Sequence, residues 1–245
     1  MKKVYGLLGR DIEYSFSRNY FNTRFEKDGT NAKYINIDLQ SIDELEVALK
    51  NQPLSGMNVT IPYKEEVIPF LDRLSPTAEA IGAVNVVKFE ADGTRTGHNS
   101  DYYGFKNSLM PLLKEMPKKG LILGTGGASK AIKYTFENLG IEPTFVSRTK
   151  KEGQYTYNEL TKEIIEDNLL IVNATPLGTF PNTEACPAIP YQFLTAKHML
   201  FDLIYNPEKT TFLAKGEEQG ASILNGSKML VLQAEKSWDI WEELK

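Results

Sequence analysis

The sequence predicts an α/β fold in two domains, and three observations lead there. Apolar runs alternate with helix-patterned segments along most of the chain, the mark of strands lying in parallel sheets under covering helices. A length of 245 residues corresponds to one large or two small domains. A fresh series of strands and helices begins near Lys119, with a glycine turn after its first strand. With 41% hydrophobic and 24% charged residues, the composition excludes disordered and low-complexity classes.

Taken in order, strands are expected over 4–8, 33–38, 55–60 and 83–89, with a turn at Asp92 and Gly93. A helix is expected from about Arg18 to Lys27, and another over 41–49, where Ser41 and Glu44 have capping-box spacing. The second series reads strand 121–123, helix 128–139 closed by Gly140, strand 144–147, helix 158–166 and strand 169–173. This βαβαβ order is half of a Rossmann-like dinucleotide-binding fold. Strand 199–203, a helix over 210–218 and a last helix over 227–241 follow; the last helix is expected to return to the first domain. Trp238 and Trp241, on one face of it, are expected to be packing anchors. The expected domains are 1–103 plus 226–245, an N-terminal α/β substrate domain, and 104–225, a nucleotide domain, with a ligand cleft between them.

Charge and cysteine content narrow the partners. The 28 basic and 32 acidic residues leave a net charge of −4, which gives no footprint for nucleic acid or an anionic membrane and points to a small molecule. Cys186 is the single cysteine, so no disulfide within the chain and no cysteine metal cluster can form. His98 and His198 sit in no ligand-spaced cluster, and no metal is expected. The apolar stretch near the amino terminus is below signal-peptide length, and no segment approaches the roughly 20 apolar residues of a membrane helix. The expected location is the cytoplasm, as a monomer or homodimer.

Residues 121–131, LILGTGGASKA, place Gly124, Gly126, Gly127 and Ala128 at a strand-to-helix switch. Small residues there let the backbone approach a pyrophosphate, which the N–H groups at the helix start then meet. Ser129 replaces the third glycine of the strict fingerprint. The next strand ends in Ser147, Arg148, Thr149 and Lys150, where an NAD-binding fold would carry an acid for the ribose hydroxyls. Arg148 and Lys150 instead suit a 2′-phosphate, which favours NADP(H). A solvated basic loop is the alternative.

Three segments carry neutral polar side chains among apolar ones. Ser15 and Ser17 are two residues apart, so on an extended segment both hydroxyls face one side and can grip a carboxylate; a helix cap at Ser17 accounts for the spacing equally well. Asn58 and Thr60 share a strand face, and Lys64 follows a proline that stops the strand. Asn85 interrupts an apolar run, and Asp101 follows GHNS at a position where it can cap a helix.

Nine ordered motifs make the pattern specific: SFS at 15–17, GMNVTIPYK at 56–64, IGAVNVV at 81–87, GHNSDYYG at 97–104, GTGG at 124–127, SRT at 147–149, NATPLG at 173–178, DLIYNPEKT at 202–210 and NGSKMLVLQ at 225–233. Over nearly its whole length the chain resembles the shikimate dehydrogenases. The resemblance implies interconversion of 3-dehydroshikimate and shikimate with NADP(H), on the route through chorismate to the aromatic amino acids. It puts Lys64 and Asp101 on the catalytic pair. It puts Ser15, Ser17, Asn58, Thr60, Asn85, Tyr205 and Gln233 on or beside substrate positions. It puts Gly124, Gly126, Gly127, Ala128, Arg148, Thr149, Thr175 and Gly226 on cofactor positions and Met229 next to the nicotinamide. Departures from the family pattern are Tyr14 for His, Arg18 for Pro, Val86 and Ser100 for Thr, and Ser147 for Asn. Tyr14 and Arg18 flank the serine pair, which leaves a paralogue acting on quinate or a related ring acid open beside the main reading. A ligand-binding regulator without redox chemistry is the third reading.

Overall fold

The computed structural model describes residues 2–13 and 15–243. Tyr14, one of the departures beside the serine pair, lies outside the described residues. The chain divides into two compact units, 1–100 with 234–245 and 101–233.

The first unit is built on a six-stranded sheet. Its elements are β1 (Lys3–Gly9), α1 (Phe16–Lys27), β2 (Ala32–Asp38), α2 (Leu45–Asn51), β3 (Gly56–Val59), β4 (Arg73–Leu74), α3 (Pro76–Ile81), β5 (Val86–Phe89) and β6 (Arg95–His98), with strand order β2-β1-β3-β5-β6-β4. β1 pairs in parallel with β2 and β3, while β5 is antiparallel to both β3 and β6. The sheet is therefore mixed, where the alternation of elements predicts parallel pairing. The reason is local. Asp92 accepts the Thr94 N–H at 3.0 Å, Gly93 takes φ 86°, and this tight turn returns β5 directly into β6 with no crossover helix.

One face of this sheet buries Leu8, Met57, Val59, Tyr63 and Val87 against α2 and α3. The other buries Tyr5, Phe21, Phe25, Tyr34 and Trp241. Trp241 Nε1 donates to the Val87 carbonyl at 3.0 Å, and a Cβ on Gly56 would stand 2.6 Å from the indole, so glycine is what lets the ring lie on β3. Trp238 packs in the same aromatic cluster, 5.5 Å from Tyr5.

The second unit comprises α4 (Asp101–Leu109), β7 (Lys119–Leu123), α5 (Gly127–Asn138), β8 (Glu142–Ser147), β9 (Tyr155–Thr156), α6 (Lys162–Asp167), β10 (Leu170–Asn173), β11 (Met199–Asp202), α7 (Thr211–Glu218) and β12 (Ser222–Leu224). It also holds the first half of α8 (Ser227–Glu242), which belongs to the first unit from Ala234 onward. The strand order is β12-β11-β10-β7-β8-β9 and every pair is parallel. The central strands are buried on both faces, Leu121, Ile171 and Leu200 on one and Ile122, Val172 and Phe201 on the other. Such strands read as unbroken apolar runs.

Two expected helices are broken. Over 41–49 a 3₁₀ turn, Ile42–Glu44, precedes α2; its capping box joins Ser41 and Glu44 as the spacing predicts. Over 158–166 a second 3₁₀ turn, Tyr157–Glu159, is capped by Thr156, and α6 starts only after a new cap at Thr161. Each threonine hydroxyl gives the backbone a local partner that competes with continuing the helix.

Candidate active site

In the first unit the polar residues gather where β1 and β3 end. Ser15 is the N-cap of α1, its Oγ accepting the Arg18 N–H at 3.2 Å. The cap is thus Ser15, and Ser17 lies inside the helix, which corrects both the extended-segment geometry and the cap at Ser17. The reason is the preceding loop: Asp38 accepts the N–H groups of Asp11 and Ile12 at 2.9 and 3.0 Å, and Arg18 Nη2 donates to the Glu13 carbonyl at 3.0 Å, so the chain turns early.

Asn58 is buried in β3. Its Oδ1 accepts the Tyr34 hydroxyl at 2.8 Å, and its Nδ2 donates to the Asn85 carbonyl at 3.1 Å and to Ser237 Oγ at 2.9 Å. Ser237 Oγ is 3.2 Å from Ser100 Oγ. Asn85 Nδ2 donates to Ser100 Oγ at 3.1 Å, and Asn85 Oδ1 accepts the Ser100 N–H at 2.6 Å. At the other end, the Ser17 hydroxyl hydrogen-bonds the Tyr34 phenol. Burial holds that phenol well above its ordinary pKa, outweighing the Ser17 bond, so it remains a donor. One continuous set of hydrogen bonds therefore joins Ser17, Asn58 and Asn85 through Tyr34, Ser100 and Ser237.

Thr60 lies just past β3, its N–H bonded to the Leu8 carbonyl at 2.8 Å. The chain then turns through a cis Ile61–Pro62 bond. Tyr63 is fully buried and anchors this corner by donating to the Leu39 carbonyl at 2.6 Å. Lys64, half-buried, follows at once, and its own carbonyl accepts the Val84 N–H at 2.7 Å. The backbone at Lys64 is thus fixed on both sides.

Asp101 is the first residue of α4 and only 2% exposed. It falls in the second unit, Lys64 in the first. Three residues on, a Cβ at Gly104 would sit 2.6 Å from the Met229 carbonyl and 3.1 Å from Gln233 Cβ, so glycine is what brings α4 and α8 together. Met229 is buried in the core cluster with Phe105 and Phe201. Tyr205 is 40% exposed, on the loop after β11.

The glycine turn is open at the start of α5. Gly124 adopts φ 102°, and a Cβ there would press on Thr175 Cγ2 at 3.0 Å. Gly126 faces open space and is the N-cap of α5 without a side-chain hydrogen bond, and Gly127 and Ala128 follow as the helix's first residues. Ser129 is fully buried, its Oγ donating to the Gly126 carbonyl at 2.6 Å. Buried and tied to the turn in this way, the serine stands in the place of the strict fingerprint's third glycine.

Beyond β8, the Ser147 hydroxyl bonds the Thr149 carbonyl, and Arg148 projects exposed with no ion pair among the described residues. Lys150 is engaged. Its Nζ donates to Glu159 Oε1 at 2.7 Å and lies 5.9 Å from the Tyr155 ring centre. Lys150 and then the Thr156 N–H and hydroxyl hold the Glu159 carboxyl down at about 2. The acid absent from the sequence of the loop is supplied in space by the next turn.

A second polar cluster shapes the loops after β10 and β11. Asn173 Nδ2 donates to Asp202 Oδ1 at 3.0 Å, Thr175 Oγ1 donates to Asn173 Oδ1 at 2.6 Å, and Thr210 Oγ1 donates to Asp202 Oδ2 at 2.6 Å. Burial pushes the Asp202 carboxyl up to about 6, against the hydrogen bonds from Thr210, the Ile204 N–H and Asn173. Gly226 has a steric reason of its own: its N–H bonds the Ile204 carbonyl at 2.9 Å, and any Cβ would overlap the Leu203 carbonyl oxygen.

Comparison with known proteins bears on the whole chain. Residues 7–87 match the shikimate dehydrogenase substrate binding domain. A shikimate dehydrogenase (NADP(+)) of Methanosphaera stadtmanae is 34% identical, over 97% of this chain and 90% of its own length. The chain belongs to the shikimate dehydrogenase family. Among solved structures of shikimate dehydrogenases, that from Aquifex aeolicus superposes with a TM-score of 0.88 at 34% identity, covering 99% of this chain and 93% of its own. Another, in complex with NADP+, gives 0.89 at 30% identity and covers 100% of this chain and 91% of its own. Tyr34, Ser100 and Ser237 are the residues that sequence reasoning passes over: Ser100 stands out only as a departure from a motif, and the other two carry no local signal.

Proposed function

We propose that this chain is an NADP(H)-dependent oxidoreductase that interconverts 3-dehydroshikimate and shikimate, a step leading through chorismate to the aromatic amino acids. The observation that carries this reading is the near full-length similarity to an NADP+-dependent shikimate dehydrogenase. The first unit takes the ring acid, the second the nucleotide. The glycine cradle supports the nucleotide role, because Gly126 leaves open space before the first N–H groups of α5. Arg148, exposed and in no ion pair among the described residues, is the reader of the 2′-phosphate.

When bound, NADP(H) supplies or accepts the hydride. Reduction of the ketone leaves negative charge on its oxygen, and a donor that meets this charge in the transition state lowers the barrier. Lys64 is that donor: it gives a proton in reduction and removes one in oxidation. Asp101 is the acid of the pair and accepts a hydrogen bond from a ring hydroxyl. Ser15, Ser17, Thr60, Tyr205 and Gln233 complete recognition of the acid. The single cysteine is consistent with a reducing cytoplasm.

The test is a spectrophotometric assay of NADP+ reduction with shikimate at mildly alkaline pH, run beside quinate and beside NAD+. Turnover is expected with shikimate and NADP+ and is expected to be slower with either replacement. A preference for quinate would reassign the substrate.

A further inference from the structure

The last helix carries a buried hydroxyl that neither packing nor helix propensity asks for. Ala234, Ser237 and Trp241 share one face of α8 and are 5%, 1% and 7% exposed. Alanine at 237 would fit that face and favour the helix, whereas serine competes for backbone hydrogen bonds. Its hydroxyl links α8 to both Asn58 and Ser100.

We propose that Ser237 is a positioning residue for substrate recognition, which through its hydroxyl fixes the orientation of Asn58 and the Ser100–Asn85 pair. The proposal rests on the functional reading above, in which these strand ends receive the ring acid. An asparagine amide has two donors, and both of those on Asn58 have acceptors, the Asn85 carbonyl and Ser237 Oγ. Without Ser237 one donor is orphaned at a buried site. Rotating the amide to find another partner exchanges its nitrogen and oxygen, and that breaks the bond from Tyr34, which also holds Ser17. Ser100 loses its neighbour in the same step, while its N–H stays bound to Asn85. Ser100 immediately precedes Asp101, so slack here is passed to the start of α4.

The experiment is steady-state kinetics on Ser237→Ala, Ser100→Ala and the double variant, with shikimate and NADP+ varied separately. Ser237→Ala is expected to raise the KM for shikimate about tenfold, the scale of one buried hydrogen bond, with kcat within about threefold and the KM for NADP+ within about twofold of wild type. Because both hydroxyls act through one network, the double variant is expected to be no worse than the weaker single variant. Ser237→Cys, of similar volume and weaker hydrogen bonding, is expected to fall between and carries the test if the alanine variant does not fold. A lowered melting temperature with an unmoved shikimate KM, or losses that multiply in the double variant, overturns the proposal and leaves the functional reading standing. Wild-type enzyme that does not oxidise shikimate overturns both.

Discussion

Each unit ties a central strand's carboxyl end into a buried polar cluster, and the two clusters differ in charge. In the first unit the members are amides and hydroxyls, with Asn58 at the centre. In the second, Asn173 and Thr210 surround a carboxyl, Asp202, that burial pushes up to about 6. A neutral cluster keeps its hydrogen bonds across the physiological range. A charged one makes the loops around it answer to pH. The supporting sheets differ too: in the mixed sheet of the first unit a tight turn returns β5 into β6, while in the all-parallel second sheet a glycine turn leads from β7 to the start of α5.

The contrast is open to direct tests. Lys64→Ala should lower kcat by ~10³-fold while NADP+ affinity, measured by fluorescence titration, stays unchanged. Equal damage to both would erase the division of labour between the units. Next in size is Asp202→Asn. The carboxyl sits at about 6 in the fold against an ordinary value of 3.8, so the native state binds the extra proton and this residue's contribution to stability is lost as pH rises from about 4 to about 6. The variant does not titrate there. Its unfolding free energy relative to wild type should therefore rise by ~3 kcal/mol between about pH 3.5 and pH 7 in urea titrations. Arg148→Ala should weaken NADP+ about 30-fold and NAD+ within about threefold, read as dissociation constants. The smallest effect expected is from Glu159→Gln, which releases Lys150 while a side-chain oxygen remains for the Thr156 cap. NADP+ should bind about twofold more tightly, because an exposed ion pair is weak and screened.

Much of the site was legible from residue order because its signals are local. A glycine turn between an apolar run and a helix, or Ser41 and Glu44 at capping distance, depends on neighbours a few positions away. What could not be read depends on partners remote in sequence. The roles of Ser15 and Ser17 turned on where a loop held by Asp38 would begin the helix. Lys150 looked like a free cation until Glu159 came round to meet it.

The amino-acid order by itself determined the α/β class, the nucleotide half-fold, the cation at 148 and the family, since periodicity, turn chemistry and motif spacing are properties of short stretches. Only the tertiary structure decided that β5 pairs with β3, that Lys150 is paired, and that a serine on the last helix closes a network with Asn58, 179 positions earlier in the chain. Hydrogen bonds and ion pairs between distant positions leave no periodic trace in sequence. They exist only once packing has brought the two groups within about 3 Å and removed the water that would otherwise satisfy them.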